Sequence, residues 1–156
     1  MSVGYPGESS MTPLVSVVIP VLNDERVFAA AESVHACGVE SDSLQLVVVD
    51  NGSTAAFSNR LSEALKHRAM VISVPEPGVY VARNAAIDAA NGEFVFFTDA
   101  DCVVRDGWIA AGVALFREGA DLVVVPTRVV DTERASLLVC GCEDPDRKKD
   151  PLHGSC

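Results

Sequence analysis

From residue 14 onward the chain alternates strand-length runs of Val, Leu and Ile with longer stretches of helical period, and this alternation limits the fold more than any other feature. V-S-V-V-I-P, L-Q-L-V-V-V-D and D-L-V-V-V-P are apolar at nearly every position, which suits strands covered by helices on both faces. Strands interleaved with helices predict βαβ units, hence an α/β fold with a mostly parallel central sheet and helices on both faces. Five strands are expected: Leu14 to Pro20, Leu44 to Asp50, Ala69 to Val74, Glu93 to Thr98 and Asp121 to Pro126. Four helices fill the gaps, at about Glu25 to Ala36, Ala56 to His67, Val79 to Ala90 and Gly107 to Phe116. Val27, Ala30, Ala31 and Val34 form the inward face of the first, and Phe57, Leu61, Ala64 and Leu65 that of the second. Asp106 is expected to cap the fourth helix, and Ser53 or Thr54 the second. Gly38, Gly92 and Gly119 are placed to stop three helices in the left-handed conformation.

Residues 1–13 read as a flexible leader without the basic start and apolar centre of a secretory signal, and Met11 is a second candidate start. After Pro126 the segment T-R-V-V-D-T-E-R-A-S-L-L-V-C suits one more strand or helix, and the remainder is an irregular, charge-rich tail. The 156 residues carry 12 Lys and Arg against 22 Asp and Glu, a net charge of −10. That balance excludes generic binding to nucleic acid or to anionic membrane, and any bound phosphate needs local help. No run approaches the ~18 apolar residues of a transmembrane segment. Cys37, Cys102, Cys140, Cys142 and Cys156 are odd in number and do not suggest a disulfide framework, so the expected location is the cytoplasm, with the inner face of the membrane as a peripheral alternative.

Ligands of open parallel sheets bind beyond the carboxyl ends of the strands. Three strands here end in polar clusters: Val21-Leu22-Asn23-Asp24-Glu25, Asp50-Asn51-Gly52-Ser53-Thr54 and Asp99-Ala100-Asp101. Asp99 and Asp101, two apart at an extended strand end, project to the same side. At ~4 Å and an effective dielectric of ~20 their repulsion costs about 4 kcal/mol, which a hard divalent ion such as Mg²⁺ or Mn²⁺ would relieve while bridging to phosphate. Taken alone, the pair reads more readily as a solvated turn with a helix cap, and the Asp50 cluster as an Asn-Gly turn with a helix cap, than as binding residues. Arg83, on the helix after Gly78, reads either as a surface cation or as a fork for phosphate. Cys102 reads as a small buried hydrophobe, His35 and His67 as surface residues. Cys140, Cys142, His153 and Cys156 lack a zinc-ligand spacing. A dehydrogenase would need G-x-G-x-x-G and a P-loop protein G-x-x-x-x-G-K-[ST], and neither is present. A receiver domain phosphorylated on Asp50 would leave Arg83 and the aspartate pair unexplained.

In this order, V-S-V-V-I-P-V-L-N-D-E, V-V-V-D-N-G-S-T and P-G-V-Y-V-A-R-N-A-A-I-D-A-A-N-G-E-F-V-F-F-T-D-A-D-C resemble the donor half of family 2 glycosyltransferases with the GT-A, Rossmann-like nucleotide-sugar-binding architecture. The resemblance covers residues 14–126 and implies roles by position. Pro20, Leu22, Asn23 and Glu25 would line the nucleoside pocket, Asp50 and Asn51 would face the base and ribose, and Arg83 would meet the diphosphate. Asp99 would approach ribose and sugar, and Asp101, with Asp99, would hold Mg²⁺ or Mn²⁺. The implied partners are a nucleoside-diphosphate sugar and a saccharide or lipid-linked acceptor, with inverting transfer to a hydroxyl in polysaccharide or glycolipid synthesis. The family's catalytic base belongs to an acceptor half for which residues 127–156 are too few. Glu143-Asp144 imitates its motif, which makes Asp144 a weak candidate for the base, and the ending reads as a truncation; the alternative to a glycosyltransferase donor domain is a non-catalytic fragment that binds nucleoside diphosphate without transferring sugar.

Overall fold

The computed structural model describes residues 13–124 and the backbone of two strands, 127–132 and 135–140. Strands β1 (Val15–Val21), β2 (Leu44–Asp50), β3 (Met70–Ser73) and β4 (Phe94–Phe97) form a parallel sheet in the order β3-β2-β1-β4. Between them run α1 (Val27–Ala36), α2 (Ala55–Leu65) and α3 (Val79–Ala89), and α4 (Trp108–Arg117) follows. The continuous apolar runs conceal a period of two. Val17, Ile19, Leu46 and Val48 pack with α1, α2 and α4 on one face, while Val18, Val47 and Val49 meet Ala82 and Ala86 of α3 on the other. Each fully buried Val contributes about 1.5–3 kcal/mol, so the two central strands anchor the molecule.

The inward face of α1 is the expected one. That of α2 lacks Ala64, which is exposed beside buried Phe57, Leu61 and Leu65. Thr54 caps α2, its side chain accepting from the Phe57 N–H. Asp106 does not cap α4, because the chain enters that helix through left-handed Gly107, whose N–H reaches the Cys37 carbonyl at the end of α1. Gly38 and Gly119 adopt the expected positive φ, but Gly92 does not. Gly92 is required by close approach instead, since a Cβ there would lie 2.4 Å from the Ser16 backbone nitrogen.

The strand expected at Asp121 to Pro126 is not formed over residues 121–124, and 125–126 lie outside the described residues. Leu122 and Val124 are 79% and 68% exposed; an apolar run becomes a strand only where a neighbour accepts its backbone hydrogen bonds. A three-residue strand that the sequence reading missed, β5 (Cys102–Val104), follows the aspartate pair. It joins β6 (Thr127–Thr132) and β7 (Ala135–Cys140) in a second sheet of order β5-β7-β6, with β6 and β7 antiparallel. The leader up to residue 12 and the tail from 141, including Glu143 and Asp144, lie outside the described residues. No described helix is long and apolar enough to cross a membrane.

His35 is not the surface residue expected. It is half-buried, its Nε2 has no partner among the described residues, and burial holds its pKa below the ordinary 6.5. As pH falls below 6.5 the unfolded chain takes up a proton that the folded chain resists, so stability falls from there down to the folded pKa. His35→Gln should flatten this slope in denaturant titrations between pH 7 and 5.5; an unchanged slope would place the proton uptake elsewhere.

Candidate functional site

The three polar clusters lie at the carboxyl edge of the sheet, where side-chain hydrogen bonds tie the loops after β1 and β2 to each other and to the loop after β3. Asn23, in the left-handed conformation at φ 50°, accepts from the Thr54 N–H on Oδ1 at 2.9 Å, and its own N–H donates to Ser53 Oγ at 2.9 Å. Asp50, 2% exposed, accepts from the Ser53 N–H at 3.1 Å and from the Ser58 hydroxyl. Asn51, 7% exposed, donates to the carbonyls of Val74 at 3.2 Å and Glu76 at 2.6 Å and accepts from the Gly78 N–H at 2.8 Å. The Asn51 amide is thus committed to the loop between β3 and α3, a role invisible in an Asn-Gly dipeptide. Asn51→Asp would set acceptors against two carbonyls, at a cost of about 1–3 kcal/mol. Hydrogen exchange should then accelerate across residues 74–78; unchanged exchange would refute the tie. Pro20 is half-buried in β1, opposite Val49. Leu22 is exposed, and the exposed Glu25 pairs with Arg60.

Asp99 and Asp101 follow β4 and are brought together as the sequence suggests. One carboxylate oxygen from each and Cys102 Sγ lie within 4.8 Å of one another. Two carboxylates with room for further ligands fit a hard divalent ion. Their mutual repulsion is met by two arginines: Arg83 Nη2 lies 3.4 Å from Asp99 Oδ1, and Arg26 Nη1 lies 3.8 Å from Asp101 Oδ2. Arg83 also covers the Phe97 ring at 6.0 Å, and its buried Nε has no partner among the described residues.

Arg26, which nothing in its sequence context singles out, is a second cation of this edge. Its Nε and Nη2 grip both oxygens of Asp24, at 2.9, 3.2 and 2.7 Å, and this hydrogen bonding holds the Asp24 carboxyl below its usual range. Beside the aspartate pair opens a cleft of 410 Å³, lined in part by Arg83, Phe97, Asp99, Trp108, Phe116 and Leu122. Asn23, Asp50 and Asn51 do not line it, so it flanks the pair on the β4–α4 side.

A parallel sheet in this order, helices on both faces and an aspartate pair beyond its fourth strand define the GT-A architecture. The molecule superposes on residues 1–349 of TarS from S. aureus with TM-score 0.60 at 22% identity, over 78% of this chain and 42% of that one. Residues 16–138 match the family described as Glycosyl transferase family 2, and the chain belongs to that family. Among curated relatives, glycosyltransferase AglE of Haloferax volcanii is 32% identical over 120 residues, covering 74% of this chain and 40% of AglE. The mannosyltransferase PcManGT of Pyrobaculum calidifontis, solved with GDP-Man and Mn²⁺, is 29% identical with TM-score 0.52, over 57% of this chain and 28% of its own. The chain therefore spans less than half the length of these relatives.

Proposed function

We propose that the strand-end edge binds a nucleoside-diphosphate sugar through Mg²⁺ or Mn²⁺, as the donor site of an inverting glycosyltransferase that builds polysaccharide or glycolipid on a saccharide or lipid-linked acceptor. The observation that carries this reading is the convergence of Asp99 and Asp101 at the carboxyl end of β4, within reach of Arg83. Residues 14–126 form the donor-binding unit.

Asp101, with Asp99, would hold the ion, which when bound supplies a positive charge opposite the diphosphate leaving group. Arg83, which lines the cleft beside Asp99, offers the N–H groups of its guanidinium to phosphate oxygens. Pro20, Leu22, Asn23 and Glu25 would border the nucleoside, and Asp50 would lie toward base and ribose, holding the Ser53 N–H and the Ser58 hydroxyl. Asn51 serves that edge through the loop it holds. The oxygen-rich partners at the strand ends favour N–H and hydroxyl donors of the ligand. PcManGT, bound to GDP-Man with Mn²⁺, supports the same ligand class here.

A thermal-shift panel of nucleoside diphosphates with Mn²⁺ tests the proposal. A nucleotide at 100 times its dissociation constant should stabilise the chain by about 2.7 kcal/mol, raising Tm by roughly 5–10 °C. The absence of a shift with every base would contradict the reading.

A further inference from the structure

We propose that Arg26 is the built-in counter-ion of Asp101, and that Asp101 takes up a divalent ion by giving up this arginine. The inference rests on the metal-dependent reading of the site and adds to it a residue that sets the affinity of the ion.

Among the described residues the guanidinium meets two carboxylates unequally. Its Nε and Nη2 are hydrogen-bonded to Asp24, and the Arg26 backbone N–H donates to Asp24 Oδ1 at 3.0 Å as well. The side chain is therefore oriented by a residue two positions before it, at the entry to α1. Nη1 reaches Asp101 Oδ2 at 3.8 Å, beyond hydrogen-bond distance, so this contact is one of charge. The other carboxylate oxygen of Asp101 accepts from Cys102 Sγ at 3.7 Å. Arg26 lowers the repulsion between Asp101 and Asp99 in the ligand-free chain, and an incoming cation competes with that same charge. Asp24 moderates the competition by holding the guanidinium back from Asp101.

This arrangement makes predictions of opposite sign for the two partners, a result that general damage to the site would not give. Mn²⁺ binding to the 156-residue chain, without nucleotide, is measured by calorimetry and by loss of the free-ion electron paramagnetic resonance signal. Arg26→Gln should tighten binding by about 5-fold or more, the scale of one partly screened charge at this distance. Asp24→Asn releases the guanidinium toward Asp101 and should weaken it. The double variant Asp24→Asn/Arg26→Gln has the wild-type net charge and should still bind more tightly than the wild type. Asp101→Ala serves as the control for the site itself.

Binding in Arg26→Gln equal to or weaker than wild type, while Asp101→Ala abolishes it, would overturn the counter-ion role and leave the metal site standing. A return of the double variant to the wild-type value would also overturn it, because the gain would then come from the bare charge of Asp24. Equal Mn²⁺ binding by wild type and Asp101→Ala, or none by any variant, would overturn the metal site together with this inference.

Discussion

Asp101→Ala is expected to lower metal-dependent nucleoside-diphosphate affinity by at least about 100-fold, since even residues that merely support a metal ligand typically contribute 10–100-fold. The folded state should hardly notice. Asp101 is partly exposed, its contact with Arg26 is 3.8 Å long, and its removal relieves repulsion with Asp99. A pair of this exposure contributes within about 1 kcal/mol, so Tm should move by only a few degrees. Calorimetry and thermal melts on the same sample separate the two effects. Unchanged affinity would remove Asp101 from the site, and a collapse of Tm would make it a structural residue.

Gly92→Ala is the converse case, with a large effect on stability through a residue remote from the aspartates. A Cβ at Gly92 would lie 2.4 Å from the Ser16 nitrogen, 2.6 Å from the Val15 carbonyl carbon and 2.9 Å from Ser16 Oγ. The first two are backbone atoms of the buried strand β1 and cannot rotate aside. The same approach carries a part-buried polar clasp. The Gly92 N–H donates to Ser16 Oγ at 2.8 Å, Ser16 donates to Gln45 Oε1 at 2.5 Å, and Gln45 Nε2 donates to the Ala89 carbonyl at 3.1 Å. Displacing the glycine opens a network that ties β1 and β2 to the turn between α3 and β4. Overpacking of this kind costs about 3 kcal/mol, equivalent to a fall of roughly 10 °C in Tm. A melt within 2–3 °C of wild type, on the same scale, would show that the turn can move away from β1.

What was legible in the sequence follows from the range of the forces involved. The buried runs of β1 and β2 and the inward face of α1 were readable because burial on a regular element leaves a period in the chain. The polar strand ends were readable because a parallel sheet brings them to one edge. Arg26 was not, because its contact with Asp101 joins the entry of α1 to the end of β4, far apart in sequence. Nor was the role of Asn51, whose partners Val74, Glu76 and Gly78 lie on another loop. Residues 121–124 misled for the opposite reason: their Val-rich composition is that of a strand, but they border the apolar cleft beside β4. The three residues of β5 were too few to carry a period.

The central claim is that this edge binds a nucleoside diphosphate through a divalent ion, and calorimetry on the wild-type chain tests it most directly. Uridine and guanosine diphosphates are titrated with Mn²⁺ present and again with the ion chelated. The account predicts binding of at least one nucleotide with Mn²⁺ and a loss of that binding on chelation. Equal binding in both conditions, or none of either nucleotide with Mn²⁺ present, would contradict it.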